Sequence, residues 1–234
     1  MSDKRIVVAI DGPAGAGKTT LAKRVAEKLR FVYINSGAMY RAVALWAIRT
    51  NTSTSDAHRL EQLAQQAKIE FGPNGGRILL NNEDVTNLIR SPEVSNAASK
   101  ISALPGVRRA LLGAQRSIAE TASVVMEGRD IGSVVFPHAQ VKIFLDAAPG
   151  ERARRRNGEY HQRGEATNLE TVAADIAERD RRDRTRSEAP LVQAPDAHFV
   201  DTTGLSLEQV EELVLRLIRE RTSNGKAVTQ SASE

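Results

Sequence analysis

The sequence predicts a doubly wound α/β fold, a parallel sheet with helices on both faces, and three observations carry that reading. Short apolar runs recur at residues 6–10, 31–34, 123–126, 141–145 and 198–200, the first of them unbroken. Runs of this kind are strands buried on both faces, which is the condition of a strand in a parallel sheet. Helical stretches separate several of them, and strands alternating with helices build an open α/β sheet. The third observation is a glycine-rich turn set between the first run and the first helix, where a ligand-binding turn of such a fold lies. A chain of 234 residues, 41% hydrophobic and 26% charged, is sized for one domain, or one domain carrying mobile appendages.

The elements follow in order. Residues 6–10, Ile-Val-Val-Ala-Ile, lie between a charged start and Gly12-Pro13, and read as the first buried strand. Over 19–29, Leu21, Val25 and Leu29 fall at helical spacing with Lys and Glu between them. The middle breaks the rhythm: 68–80 alternates, turns through Gly72-Pro73-Asn74-Gly75-Gly76 and alternates again, a hairpin pattern. Helical stretches at 91–102 and 107–121 follow, with Pro105-Gly106 between them. Residues 60–105 are therefore expected to be an insertion on a core made of 1–59, 106–148 and 168–222. Residues 149–182 read as two charged helices joined near Gly164, of which 149–167 is the expected lid. The tail, 223–234, is polar and predicts disorder.

Composition narrows the function classes. There is no Cys, which excludes disulfides, thiolate metal sites and a Cys nucleophile. The apolar run near the N-terminus has five residues, too few for a secretory signal or a membrane span, so the expected location is the cytoplasm. Net charge is only +4, but the isoelectric point is 9.6 and Arg crowds into 152–186. That balance suits either nucleic acid or small polyphosphates. The 150–190 region lacks the interleaved aromatics of a single-strand binder, so no nucleic-acid partner is expected. No exposed apolar stripe is left unassigned, which predicts a monomer.

The segment Gly12-Pro13-Ala14-Gly15-Ala16-Gly17-Lys18-Thr19 fits GxxxxGK[ST], the phosphate loop. Its glycines let backbone N–H groups turn inward as a ring of donors, and the following helix adds its positive end. Lys18 is placed to reach β- and γ-phosphates, and the Thr19 hydroxyl suits Mg²⁺; Thr20 completes the predicted ATP site. The same loop serves GTPases, motor ATPases and small-molecule kinases, so the rest of the chain must choose.

A second anion would need its own cations, and the sequence has them. Arg41 follows Ser36-Gly37-Ala38-Met39-Tyr40, and Arg129-Asp130 stand just past the strand ending at Met126. Strand ends face the ligand crevice in such folds. Arg is the suitable cation because its planar fork meets phosphate bidentately. In the run 178–186, Arg179, Asp183 and Arg186 are three and four apart and share a helix face, whereas Arg181 and Arg184 suit a solvated face. Ser36 either binds phosphate or caps a helix. Arg152, Arg155 and Arg156 are either a solvated face or phosphate contacts of a closing lid, Arg152 and Arg156 above all. Asp130 either reads a ligand or forms a local ion pair with Arg129.

These strings resemble the bacterial cytidylate kinase family, a nucleoside monophosphate kinase class of P-loop kinases, over nearly the whole chain. The matching segments are IDGPAGAGKTT at 10–20, SGAMYR at 36–41 and SNAAS at 95–99 with Val107-Arg108. They continue through EGRDIG at 127–132, VFPHAQVKIFLDA at 135–147 and the Glu178–Leu191 stretch. The resemblance implies a parallel five-stranded core, a large monophosphate-binding insertion and a short lid. It implies ATP as donor, CMP and dCMP as acceptors, and Mg²⁺ as cofactor. By motif, Ser36, Arg41, Arg129 and Arg186 would hold the acceptor phosphate. Ser99, Arg108 and Asp130 would read the cytosine, and Arg179 and Asp183 would hold the pentose. Two positions depart from the family's usual pattern: Asn35 stands where Asp is common, and Ser133 where Thr is common.

The expected reaction is in-line attack of a CMP phosphate oxygen on the γ-phosphorus of ATP. Lys18, Arg129, Arg179 and Arg186 would spread the charge of the transferring group. A kinase for UMP, AMP or shikimate is the nearest alternative. A regulatory GTPase is weaker, because the chain has no guanine-reading NKxD string.

Overall fold

A computed structural model describes residues 5–72 and 75–230, with side chains described as far as Thr222. Five strands form one parallel sheet: β1 (Val7–Asp11), β2 (Val32–Asn35), β6 (Val124–Gly128), β7 (Val141–Asp146) and β8 (His198–Asp201). Their order is β2-β6-β1-β7-β8, so β1 is central and its C-terminal end, which feeds the phosphate loop, lies between β6 and β7. The strand order reverses about β1, which opens the crevice at these strand ends.

Alternation along β1 divides the core into two layers. Val8 and Ile10 pack with Leu21 and Val25 of α1 (Lys18–Leu29) and with Val214 and Ile218 of α8 (Leu207–Gln230). Ala9 points the other way, into a cluster with Ile34, Met126, Ile131 and Val135. α5 (Pro105–Ala119) contributes Leu112 and Ile118 to that face.

The middle of the chain has a core of its own, built by α2 (Ser36–Arg49), α3 (Ala57–Gln66), α4 (Pro92–Ile101) and α5. Over it lies a three-stranded antiparallel sheet, β3 (Ile69–Phe71), β4 (Ile78–Leu80) and β5 (Glu83–Asp84). The predicted hairpin corresponds to β3 and β4, with residues 73–74 of its turn outside the described residues. The third strand, β5, is too short to have shown a period in the sequence. α3 begins at Ala57, within the stretch the sequence assigned to the core.

The predicted charged helices are α6 (Pro149–Gln162) and α7 (Leu169–Thr185), which share only a small apolar cluster, Ala153, Val172 and Ile176 against Tyr160. α8 differs from expectation. The sequence predicts disorder from Ser223, yet the helix runs to Gln230; residues 231–234 lie outside the described residues. Leu207, Val210, Leu213, Val214, Leu217 and Ile218 fall at helical spacing and tie its first turns to the sheet.

The phosphate loop is held by backbone geometry. Gly12 has φ +146°, and a Cβ there would stand 1.9 Å from the Leu145 carbonyl oxygen in β7. Gly12→Ala is therefore expected to destabilise the protein by about 1–3 kcal/mol from overpacking alone, before the strained φ is counted. Chemical denaturation of wild type and variant measures this, and an unchanged midpoint would show that β7 yields to the methyl group.

Candidate active site

The cleft opens where β1, β2 and β6 end. On one side Gly12, Gly15 and Gly17 adopt positive φ and turn the loop of residues 12–17 around an open centre. Gly17, at φ 86°, stands as the N-cap of α1 without a side-chain cap, so the first helical amides stay free for a ligand. Lys18 is buried and donates to the Pro13 carbonyl at 2.6 Å. Burial, with Arg129 close by, pushes its ammonium down to about 7. Thr19 and Thr20 are exposed and line the cleft.

Beside this loop lies a second cavity of about 200 Å³, walled by Gly17, Thr20, Leu145, Leu205 and Val210 and edged by Arg155. Arg155 donates to the Thr202 hydroxyl and to the Thr202 carbonyl, each at 2.9 Å, and to Glu151 at 3.0 Å. Residues 202–210 carried no motif in the sequence; only the fold brings the β8–α8 connection against the phosphate loop.

The opposite side of the cleft is cationic. With Lys18, seven Lys and Arg side chains line the cleft as a whole against four carboxylates, an excess that suits an anionic ligand. Asp130 is buried and accepts hydrogen bonds from Arg108 and, at 3.4 Å, from Arg186. Arg108 also donates to the Ser102 carbonyl at 3.1 Å and stacks over the Tyr40 ring. Arg129 donates to Asp183 at 2.8 Å. The local Arg129–Asp130 ion pair weighed from the sequence is thus replaced by two pairs between residues distant in sequence, because folding brings Arg108 against Asp130 and Asp183 against Arg129. Burial opposes ionisation of Asp183, but Arg129 and Arg179 together hold its carboxyl below the ordinary range. Arg179 is buried with its Nε unpartnered, and burial beside Arg129 pulls its guanidinium down from the ordinary value. Arg41 is lowered in the same way, by burial and by Arg156 and Arg129, and its Nε also lacks a partner.

Ser36 does not cap its helix. Asn35 does, accepting from the Ala38 N–H at 3.1 Å, while the Ser36 hydroxyl donates to the Glu127 carbonyl at 2.7 Å. Ser99 has a buried hydroxyl without a partner. It faces an adjoining cavity between α4 and α7 that it shares with Arg156 and Arg179.

The three arginines of α6 separate. Arg152 is buried and donates to the Ala147 and Ala14 carbonyls at 3.0 and 3.1 Å and to Asp180 at 2.5 Å. It is a strut between α6, α7 and the phosphate loop, not the free phosphate contact expected from the sequence. Arg156 lines the cleft, pairs with Glu159 at 2.8 Å and stacks on Tyr160. Arg181 pairs with Glu178 at 2.8 Å on the exposed face and Arg184 is also exposed. Sequence reasoning missed Glu127, buried at the end of β6, lining the cleft and accepting from the Tyr33 hydroxyl at 2.6 Å. Its place beside a motif Arg was the available signal.

A family model described as cytidylate kinase matches residues 8–220. The chain belongs to the cytidylate kinase family. Among similar proteins, a cytidylate kinase from Solibacter usitatus (strain Ellin6076) is 59% identical over 225 residues, covering 95% of this chain and 96% of its own. One from Geobacillus kaustophilus (strain HTA426) is 48% identical over 220 residues, covering 93% and 98%. In fold, the chain is similar to the crystal structure of an uncharacterized protein from Eubacterium ventriosum ATCC 27560, with TM-score 0.54, 11% identity and coverage of 93% and 99%. The motifs this cytidylate kinase family member carries at 10–20, 36–41 and 127–132 are those whose side chains meet in the cleft. Among the described residues no helix is long and apolar enough to cross a membrane.

Proposed function

We propose that this protein transfers the γ-phosphoryl group of ATP to CMP and dCMP, giving CDP and dCDP. The observation that carries the reading is the pairing of Asp130 with Arg108 and Arg186 in the same cleft that Lys18 lines. A carboxylate held among guanidiniums can accept from an exocyclic amino group while its neighbours serve ring acceptors and phosphate, and cytosine offers that pattern.

ATP lies along residues 12–20, with its triphosphate in the loop and Lys18 at the β- and γ-phosphates. Its base fits the cavity between Thr20, Leu205 and Arg155. The acceptor phosphate is held by Ser36, Arg41, Arg129 and Arg186, the cytosine by Ser99, Arg108 and Asp130, and the pentose by Arg179 and Asp183. The unpartnered guanidinium nitrogens of Arg41 and Arg179 support this, because buried donors without acceptors gain most from an anion. Transfer needs no general base, since the acceptor oxygen is already anionic; Lys18, Arg129, Arg179 and Arg186 neutralise the moving charge.

Magnesium, brought with ATP, supplies further neutralisation of the β- and γ-phosphates. The exposed Thr19 hydroxyl and the Glu127 carboxylate, which both line the cleft, would hold it there. Among the described residues no cluster of three or more His, Asp or Glu could hold a metal ion.

Residues 60–105 and 149–167 close over the substrates and exclude water. The protein acts as a monomer on small molecules, without a nucleic-acid partner. ATP consumption measured with CMP, dCMP, UMP, AMP and shikimate in turn tests the reading. CMP and dCMP should give the highest kcat/KM, and a higher value for any of the others would overturn it.

A further inference from the structure

Asp11 is a buried carboxylate that the transfer reaction does not use. It is the last residue of β1, only 5% exposed, and precedes the phosphate loop. Oδ1 accepts the Ile131 N–H and Oδ2 accepts the Gly132 N–H, each at 2.7 Å. Among the described residues no Lys or Arg bonds to it. Both oxygens are spent on the first two amides of the π-helical turn that follows Arg129 and Asp130.

A buried carboxylate with amides as its only bonded partners is costly unless those partners must be held. Burial, with Asp130 adding to it, raises its carboxyl to about 6, against the opposing pull of the two amide bonds and of Lys18. The turn it grips is itself a departure from regular structure: Val134 and Val135 N–H both bond to the Asp130 carbonyl. π-helical turns in proteins are short and recur at functional sites. β6 alone carries the chain only as far as Gly128. Beyond it, the direction in which Arg129 and Asp130 leave the strand depends on where the turn is pinned.

We propose that Asp11 is a positioning residue: by clamping the Ile131 and Gly132 amides to the root of the phosphate loop, it fixes Arg129 and Asp130 at a set distance from the donor phosphates. The acceptor-binding groups and the donor loop are thereby built on one residue, which keeps the two substrates in line. The inference rests on the proposed acceptor-binding roles of Arg129 and Asp130. The phosphate loop has independent anchors, the Gly12 contact with Leu145 and the Arg152 bond to Ala14, so donor binding should depend less on Asp11.

Two variants test the clamp from its two sides. Asp11→Asn keeps the shape but turns an NH₂ toward one amide. Gly132→Ala leaves the carboxylate and sets a Cβ 3.1 Å from the Lys142 side chain and 3.4 Å from Asp11 Oδ2, so that either the Lys142 methylenes or the turn carrying the amide must give by a few tenths of an ångström. With wild type first shown to phosphorylate CMP, Asp11→Asn should raise KM for CMP about tenfold and Gly132→Ala about threefold, as expected when a positioning contact shifts by under an ångström. Affinity for a non-hydrolysable ATP analogue, by calorimetry, should change by about twofold or less, since that substrate makes its contacts elsewhere. In wild type, the Ile131 and Gly132 amide protons should shift together as the Asp11 carboxyl titrates near pH 6 in NMR spectra. A folded variant that loses thermal stability but keeps its KM for CMP would reduce Asp11 to a structural residue. Amide resonances that stay put while the Asp11 carboxyl carbon itself is seen to titrate would overturn the clamp even if neither variant folds. Wild type that does not phosphorylate CMP would instead refute the proposed function.

Discussion

Lys18→Ala is expected to fold normally and to lose about two to three decades of turnover, the usual cost of removing one preorganised charge from a transferring group. Its stability should not fall, and the sign follows from linkage. The Lys18 ammonium is held at about 7 in the folded protein against an ordinary value of 10.5. Between those values the unfolded chain binds the proton more tightly, so the lysine's contribution to stability worsens as pH falls from about 10.5 to about 7 and is at its worst below. Removing the side chain relieves that penalty, and the variant should melt at or above the wild-type temperature at pH 7. The residue is kept at a cost in stability because phosphate, when present, reverses the penalty. A second readout follows. Phosphates raise the Lys18 pKa on binding, so nucleotide binding at pH 8 should take up protons in wild type, more than in Lys18→Ala. Calorimetry in two buffers of different ionisation enthalpy measures the difference. Near-wild-type turnover in the folded variant would remove Lys18 from the mechanism.

Asp130→Asn should lower the CMP over UMP ratio of kcat/KM by about tenfold. A charge-assisted hydrogen bond contributes roughly 1.5–3 kcal/mol, about one to two decades in specificity. Asparagine can offer an N–H to the uracil carbonyl, where the aspartate presents a negative charge. The ion pairs add a second effect. Arg108 and Arg186 are buried against Asp130, and losing its charge leaves two guanidiniums uncompensated. Breaking a buried pair outright costs about 3–5 kcal/mol; the amide oxygen of Asn retains part of that, so the variant should melt lower but stay folded. The two effects separate in one experiment. Kinetics with both substrates read the base contact, and circular dichroism on heating reads the ion pairs. If CMP and UMP suffer equally while the melting temperature falls, Asp130 supports Arg108 and Arg186 without reading the base.

Much of the site was legible in one dimension because its chemistry is local. A glycine-rich loop between a buried strand and a helix needs only consecutive residues, and Gly12, Gly15, Gly17 and Lys18 take the conformations that the spacing requires. Strand ends were legible for the same reason, since a short apolar run ends where the crevice begins. Arg129 and Asp130, just past such an end, are expected at the crevice and do line the cleft. Helix α8 has a plain apolar period over its first turns but carries no motif, so the sequence gives it no role beyond packing on the sheet.

The sequence by itself determined the α/β class, the phosphate loop and which cations surround it. The tertiary structure decided which partner each charge takes. Arg129 pairs with Asp183 across 54 positions of sequence, not with its neighbour Asp130. Arg152 is spent as a strut on Asp180 and Ala14, leaving Arg156 to face the cleft. Asp11 grips amides 120 and 121 residues away. The physical reason is that conformation along a chain is set by neighbours in sequence, whereas Coulomb and hydrogen-bond energies are set by neighbours in space. A guanidinium at the end of an arginine side chain has several carboxylates within reach of any unfolded arrangement. Only the packed sheet, with β6 beside β1 and α7 laid across the strand ends, selects one of them.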